Sequence, residues 1–150
     1  MRDNLIATRL KAYTRYGLLK VNALRNEAQR IATILGVGEA RLRSRASELS
    51  GGNQQKLAFG RCIDRGGPGV IVMIEPTRGV DVGARAEIYR LMCDFCSRGW
   101  GLLVASTDLE EVIGLGDVVV TMYRGRQIAR YGRPAATMQQ IVADITHPIS

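Results

Sequence analysis

Apolar positions along the 150-residue chain follow two different rhythms, and the change from one to the other divides it. In the first 48 residues they fall at helical spacing, notably Ala28, Ile31, Ala32, Ile34 and Leu35, with Gly36 and Gly38 placed to end that helix. From Val70 onward, short β-branched runs alternate with amphipathic stretches. Val70–Ile74 predicts a buried strand and residues 100–105 a second, joined by a helix whose inner stripe is Ala84, Ile88, Leu91, Met92 and Phe95. A short helix over residues 108–115 leads to a third strand at 117–122. Tyr123, Arg124, Gly125 and Arg126 then predict a hairpin turn into residues 127–130, and a last helix runs near 137–145. Strands alternating with helices of this length predict an α/β fold: a helical leader, then a mainly parallel sheet covered on both faces. Gly66, Gly67, Pro68 and Gly69 mark the step between the two.

Composition narrows the class. With 46% hydrophobic residues the chain can bury a core, yet its longest apolar runs are about five residues, far below the roughly 20 that cross a bilayer. The first residues lack an apolar stretch of secretory type, so a cytoplasmic location is expected. Three cysteines, Cys62, Cys93 and Cys96, are an odd number and are expected as thiols. Cys93 and Cys96 have C-x-x-C spacing within a predicted helix and are read as two thiols on its face. The only histidine is His147, and no metal site is expected. The net charge of +7 is uneven, because residues 1–48 hold ten Lys/Arg against four Asp/Glu. A basic face of this kind suits nucleic acid, an acidic membrane surface or a partner subunit, and a solvated helix surface is the preferred reading.

Two stretches carry chemistry. In Leu49-Ser50-Gly51-Gly52-Asn53-Gln54-Gln55-Lys56 a serine and two glycines open a predicted helix. Helix starts present free N–H groups and partial positive charge to an anion, and glycine lets the backbone come close; ordinary capping by Ser50 is the plain alternative. About twenty residues on, a hydrophobic strand ends in Ile74-Glu75-Pro76-Thr77-Arg78-Gly79-Val80-Asp81. A carboxylate just past a buried strand suits a base that polarises water toward a phosphate.

In this order the two stretches resemble the signature loop and the Walker B strand with D-loop of ATP-binding cassette (ABC) ATPases. The words from Glu75 to Ala84, then Glu87-Ile88-Tyr89, and Asn53-Gln54-Gln55-Lys56 after the signature, are similar to the second cassette of the ATPases that power ribose, galactoside and xylose uptake. The resemblance implies a partial P-loop NTPase fold, with residues 1–48 as the helical subdomain and 49–150 as signature motif plus the C-terminal part of the cassette core. It implies that Leu49, Ser50, Gly51, Gly52 and Gln54 meet the γ-phosphate of an ATP held by an opposing cassette. Glu75 would be the catalytic carboxylate, Asp81 part of the D-loop and Thr107 the occupant of the switch position. The cofactors implied are ATP and Mg2+, held mainly by the second cassette. The other partners implied are membrane-spanning permease subunits and, indirectly, a periplasmic sugar-binding protein, with the chain peripheral on the cytoplasmic face of the inner membrane. No nucleic-acid partner is expected: repair ATPases that share a Ser-Gly-Gly signature need long coiled coils or zinc insertions.

The match departs from the family in three places. No G-x-x-x-x-G-K-[ST] occurs, so a truncated chain, starting after that loop and inactive alone, is expected. Ile74 stands where the family has the aspartate that helps hold magnesium, and a hydrocarbon cannot ligate a hard cation. Thr107 stands where the family has its switch histidine, a histidine that second cassettes of sugar importers also tend to lack. By the same resemblance, the strand before the absent loop would lie between the strands at 100–105 and 117–122. Its absence would leave two edges open and the isolated chain prone to aggregate or fold only in part. The alternative function is a non-catalytic or remnant cassette fragment that lends only its signature loop.

Overall fold

The computed structural model describes residues 1–63, 67–133 and 137–146. Gly66 of the expected loop and His147 lie outside the described residues. Two compact units emerge, one of residues 1–71 with 77–102, the other of residues 72–76 with 103–150. No helix among the described residues is long and apolar enough to cross a membrane.

In the first unit, α1 (Arg2–Ile6) runs through a 3-10 segment (Ala7–Tyr13) into a small antiparallel hairpin of β1 (Thr14–Arg15) and β2 (Leu18–Leu19). This hairpin departs from the helical expectation for the first 48 residues. Its turn is Tyr16-Gly17, both at positive φ, 52° and 78°, the conformation whose twist suits a two-residue loop. Two residues per strand are too few for alternation to show in a sequence. The helix α2 (Val21–Ile34) follows, and the expected stripe faces inward: Ala28, Ile31 and Ala32 are fully buried and Leu35 continues the layer. Gly36 at φ 63° turns the chain so that the Val37 N–H reaches the Ala32 carbonyl at 2.9 Å, a Schellman-type stop. Glu27 is buried in the same layer; Arg30 bonds its carboxylate at 2.8 Å and Arg9 stands at 3.9 Å.

A short helix, α3 (Glu39–Leu42), leads to α4 (Gly51–Cys62). Gly60 of α4 lies so close to Leu5, Leu35 and Ile31 that a Cβ would collide with all three. α5 (Val82–Ser97) buries Ile88, Leu91, Met92 and Phe95, four of the five residues of its expected stripe. Phe95 meets Phe59 of α4 at 5.8 Å and Trp100 edge-on at 5.7 Å between ring centroids.

The strands β3 (Val70–Ile74) and β4 (Gly101–Ala105) pair with each other. Gly101 N–H donates to Gly69 O and Glu75 N–H to Ala105 O, both at 2.8 Å. The numbers rise together, so the strands are parallel and α5 is their crossover. One expectation needs correction: β3 is not buried on both faces. Ile71 is enclosed, whereas Val70, Val72 and Ile74 are 72%, 63% and 78% exposed. The sheet has two strands among the described residues and one covered face, and the two-residue period turns every second side chain to the open one.

The second unit adds α6 (Leu109–Leu115), then β5 (Val118–Tyr123) and β6 (Arg126–Gly132) as an antiparallel hairpin turning at Arg124-Gly125, and α7 (Met138–Thr146). Each lies within about a residue or two of its expected place. The Asp144 carboxylate of α7 accepts from Thr121 Oγ1 and from the Tyr131 hydroxyl, each at 2.8 Å, and so pins the helix to the hairpin. That bond to an anion holds the Tyr131 phenol above its ordinary value of 10.0.

Candidate functional site

The signature segment sits at the start of α4. Leu49 is buried beneath it and Ser50 is the N-cap residue, at φ −60° and ψ 158°. The Ser50 side chain makes no capping bond to the helix's own amides; its Oγ accepts from Asn53 Nδ2 at 2.8 Å. A hydroxyl that already accepts keeps its proton for another acceptor. Arg41 Nη1 donates to Asn53 Oδ1 at 3.3 Å and so orients the amide. Gln54 folds back: its Nε2 donates to the Leu49 carbonyl at 3.0 Å and its N–H to the Ser50 carbonyl at 2.9 Å, which locks the loop.

The two glycines are required by a close approach. A Cβ on Gly52 would stand 2.7 Å from the Ala84 Cβ, and one on Gly51 would stand 3.3 Å from the Gly79 carbonyl oxygen. The first turn of α4 is thus pressed against the start of α5. There Asp81 is the N-cap, its carboxylate accepting the Ala84 N–H at 2.9 Å. One turn further on, Lys56 Nζ meets Glu87 Oε2 at 2.9 Å, and the bond from Lys56 holds the Glu87 carboxyl below its ordinary 4.5. The segments from Ser50 to Lys56 and from Gly79 to Glu87 therefore form one surface.

Glu75 and Thr107 make a second group. Glu75 directly follows β3 and lies in the left-handed region, φ 51°, uncommon for a residue with a side chain. Its Oε1 accepts the Thr107 N–H at 2.9 Å, so the carboxylate ties the ends of β3 and β4 together. Ile74 beside it offers only hydrocarbon. Among the described residues no three His, Cys, Asp or Glu gather as a metal would need. The donor set does not fit a magnesium ion held by this chain by itself. All three cysteines are exposed thiols.

Two residues that position Ser50 do not stand out as site residues in the sequence. Asn53 is legible in principle, since it lies three positions after Ser50 on the same helix face. Arg41 comes from α3 and is brought there only by the tertiary fold.

No family model matches the chain. The ribose import ATP-binding protein RbsA 2 of Rubrobacter xylanophilus is 39% identical over 146 residues, 97% of this chain. The arabinose import ATP-binding protein AraG of Rhizobium etli is 37% identical over 134 residues, 89% of this chain. The chain spans 28% of the length of the first relative and 27% of the second. Among solved structures, a nucleotide-free ATP-binding cassette from an ABC transporter superposes with a TM-score of 0.74 at 24% identity, over 95% of this chain and 58% of that one. An inward-facing ABC transporter of metal-chelate type gives a TM-score of 0.78 at 17% identity, over 97% and 58%. The fold of this chain is therefore that of rather more than half an ABC ATPase cassette, and its sequence is homologous to the ATP-binding proteins of sugar importers.

Proposed function

We propose that the chain is a component of the ATP-hydrolysing machinery of a sugar importer and that it supplies the signature side of a nucleotide sandwich. The observation that carries this reading is the start of α4, where the Ser50 hydroxyl is held by Asn53 and not spent on the helix's own amides. Leu49, Ser50, Gly51, Gly52 and Gln54 would face the γ-phosphate of an ATP bound to a second cassette, with Asp81 at the adjoining edge. ATP supplies the phosphoanhydride whose cleavage drives transport. Ser50 and the first-turn amides of α4 would bind and orient the terminal phosphate; Glu75, just after β3, is proposed separately as a catalytic carboxylate that would hold a water and take its proton. Magnesium would be carried by the second cassette. Permease subunits, a periplasmic sugar-binding protein and a place on the cytoplasmic face of the inner membrane complete the assembly, with residues 1–48 as the helical subdomain that meets the permease.

Ile74 favours a second reading, in which the chain lends its signature loop without catalysing at its own Walker B strand. The two separate in one experiment. The purified chain is mixed with a complete sugar-import cassette whose own signature serine is mutated, and ATPase activity is followed. Rescue by the wild-type chain and its loss in Ser50→Ala supports the shared proposal. Loss in Glu75→Gln as well selects the catalytic reading, and full rescue by that variant selects the second. Saturable, magnesium-dependent ATP binding by the chain alone at micromolar concentration would overturn both.

A further inference from the structure

The β1–β2 hairpin has a composition and a placement that nucleotide handling does not use. Its base is anchored: Tyr13 is buried with Ile6, Leu24 and Ala28, and the Lys20 N–H donates to the Tyr13 carbonyl at 2.9 Å. Its tip is bare. Tyr16 is 90% exposed and Leu18 75%, and Leu10, Leu19 and Val21 are exposed around them. All four residues of the two strands are exposed.

Charge says what kind of surface it fits. Between Asn4 and Gly38 the chain has a single acidic residue, Glu27, and that residue is fully buried beside Arg30 and Arg9. What remains outside is cationic: Lys11, Arg15, Lys20 and Arg25 are all exposed. The Arg15 guanidinium lies 5.2 Å from the Tyr16 ring centroid, so a cation and an aromatic face are presented together. Exposed Tyr and Leu ringed by Lys and Arg, with no exposed carboxylate among them, match the boundary of an anionic bilayer, where rings and aliphatic chains enter between headgroups and cations meet phosphates.

We infer that the Leu10–Val21 hairpin region docks on the anionic headgroup surface of a membrane, Tyr16, Leu18 and Leu19 entering the interface. Each cation near such a surface strengthens binding about fivefold at moderate salt, and the effect fades as salt rises. The inference stands on the hairpin alone, is independent of the signature-loop proposal, and leaves the rest of residues 1–48 as the part proposed to meet the permease.

The test is co-sedimentation of the full chain with sucrose-loaded vesicles of phosphatidylcholine alone, or with about a third phosphatidylglycerol. Because the whole chain is basic, two variants must be compared. Leu18→Ser with Leu19→Ser keeps every charge and should weaken binding to the anionic vesicles roughly tenfold. Arg90→Gln with Arg98→Gln removes two charges from α5 and its C-cap and should weaken it by less than about threefold. Tyr16→Trp should show blue-shifted emission and quenching by brominated lipid on anionic vesicles only. Circular dichroism checks that the variants keep the wild-type fold. The inference fails if binding is equal on both lipids or absent. It fails too if the α5 variant loses as much as the hairpin variant, or if the Tyr16→Trp signal does not respond to lipid; a partner protein would then be the better occupant.

Discussion

The two compact units differ in how fully each encloses its own apolar side chains. In the first, Leu5, Ala28, Ile31, Ala32 and Ile88 have no exposed surface, and a continuous series from Met1 to Phe95 is buried around them. In the second, Val119 and Ile141 are the buried apolar residues among those described, while Val72, Ile74, Leu103, Val118, Val120 and Met122 stand exposed on its strands. The polar clasp on Asp144 takes a share of the work there that apolar packing does in the helical unit. Helices bury a stripe against one another in pairs, whereas a strand pair covered on one face leaves the other to water. Open apolar strand surface marks an interaction site or an aggregation hazard.

The largest effect expected from this contrast is in local stability. Amides of α2 and α5, Ile31 and Ile88 among them, should be protected from hydrogen exchange at least roughly a hundredfold more than those of β4 and β5. Equal protection in the two units would sink the comparison. Ile31→Ala should cost about 2–5 kcal/mol in denaturant unfolding followed at α2, since Ile31 is fully enclosed and its cavity cannot fill with water.

Most of the second unit and the βαβ crossover are legible in the order of residues alone. The residues of β3, α5, β4, α6, β5, β6 and α7 alternate between two clear periods, and Asp81 and Asp108 cap their helices as helix starts prefer. The burial of β3 is not legible, because a run of Val, Ile and Met reads alike whether one face or both are covered. In the candidate site, Gly51 and Gly52 are read from sequence as opening an anion-facing helix start, and the sequence is silent on the role the structure shows for them, a close approach to α5. Gly52 is also the only residue type that admits Ala84. Nor could it announce that Glu75 would bond the Thr107 N–H, a meeting of strand ends 32 residues apart.

A smaller effect, opposite in sign between the units, follows from two glycines. Gly52→Ala forces a Cβ against Ala84 and should destabilise by about 1–3 kcal/mol. Gly114→Ala lies within α6 where a Cβ meets nothing, and should stabilise by about 0.5–1 kcal/mol by restricting the unfolded chain. Melting curves of the two variants decide it. If Gly52→Ala does not lower the melting temperature, the close approach of α4 to α5 is not the constraint it is taken to be.

The smallest effect addresses the units from opposite ends of the pH scale. Glu87 has a folded value below its ordinary 4.5, chiefly because Lys56 bonds to it and secondly because of that lysine's charge. Its contribution is present above about pH 4.5 and is lost as pH falls through the folded value. Since Glu87 is more than half exposed, the pair is worth about 0.5 kcal/mol or less. Tyr131 is displaced the other way, upward from 10.0, by its bond to Asp144. Its contribution is present below pH 10 and is lost as pH rises through the folded value. The stability gap between wild type and Lys56→Met should therefore close in acid and persist in alkali, and that between wild type and Tyr131→Phe should close in alkali and persist in acid. Followed by exchange at α4 and at β6, each titration should move its own unit. A Lys56→Met gap that survives to about pH 2 would show that the lysine does not act through Glu87.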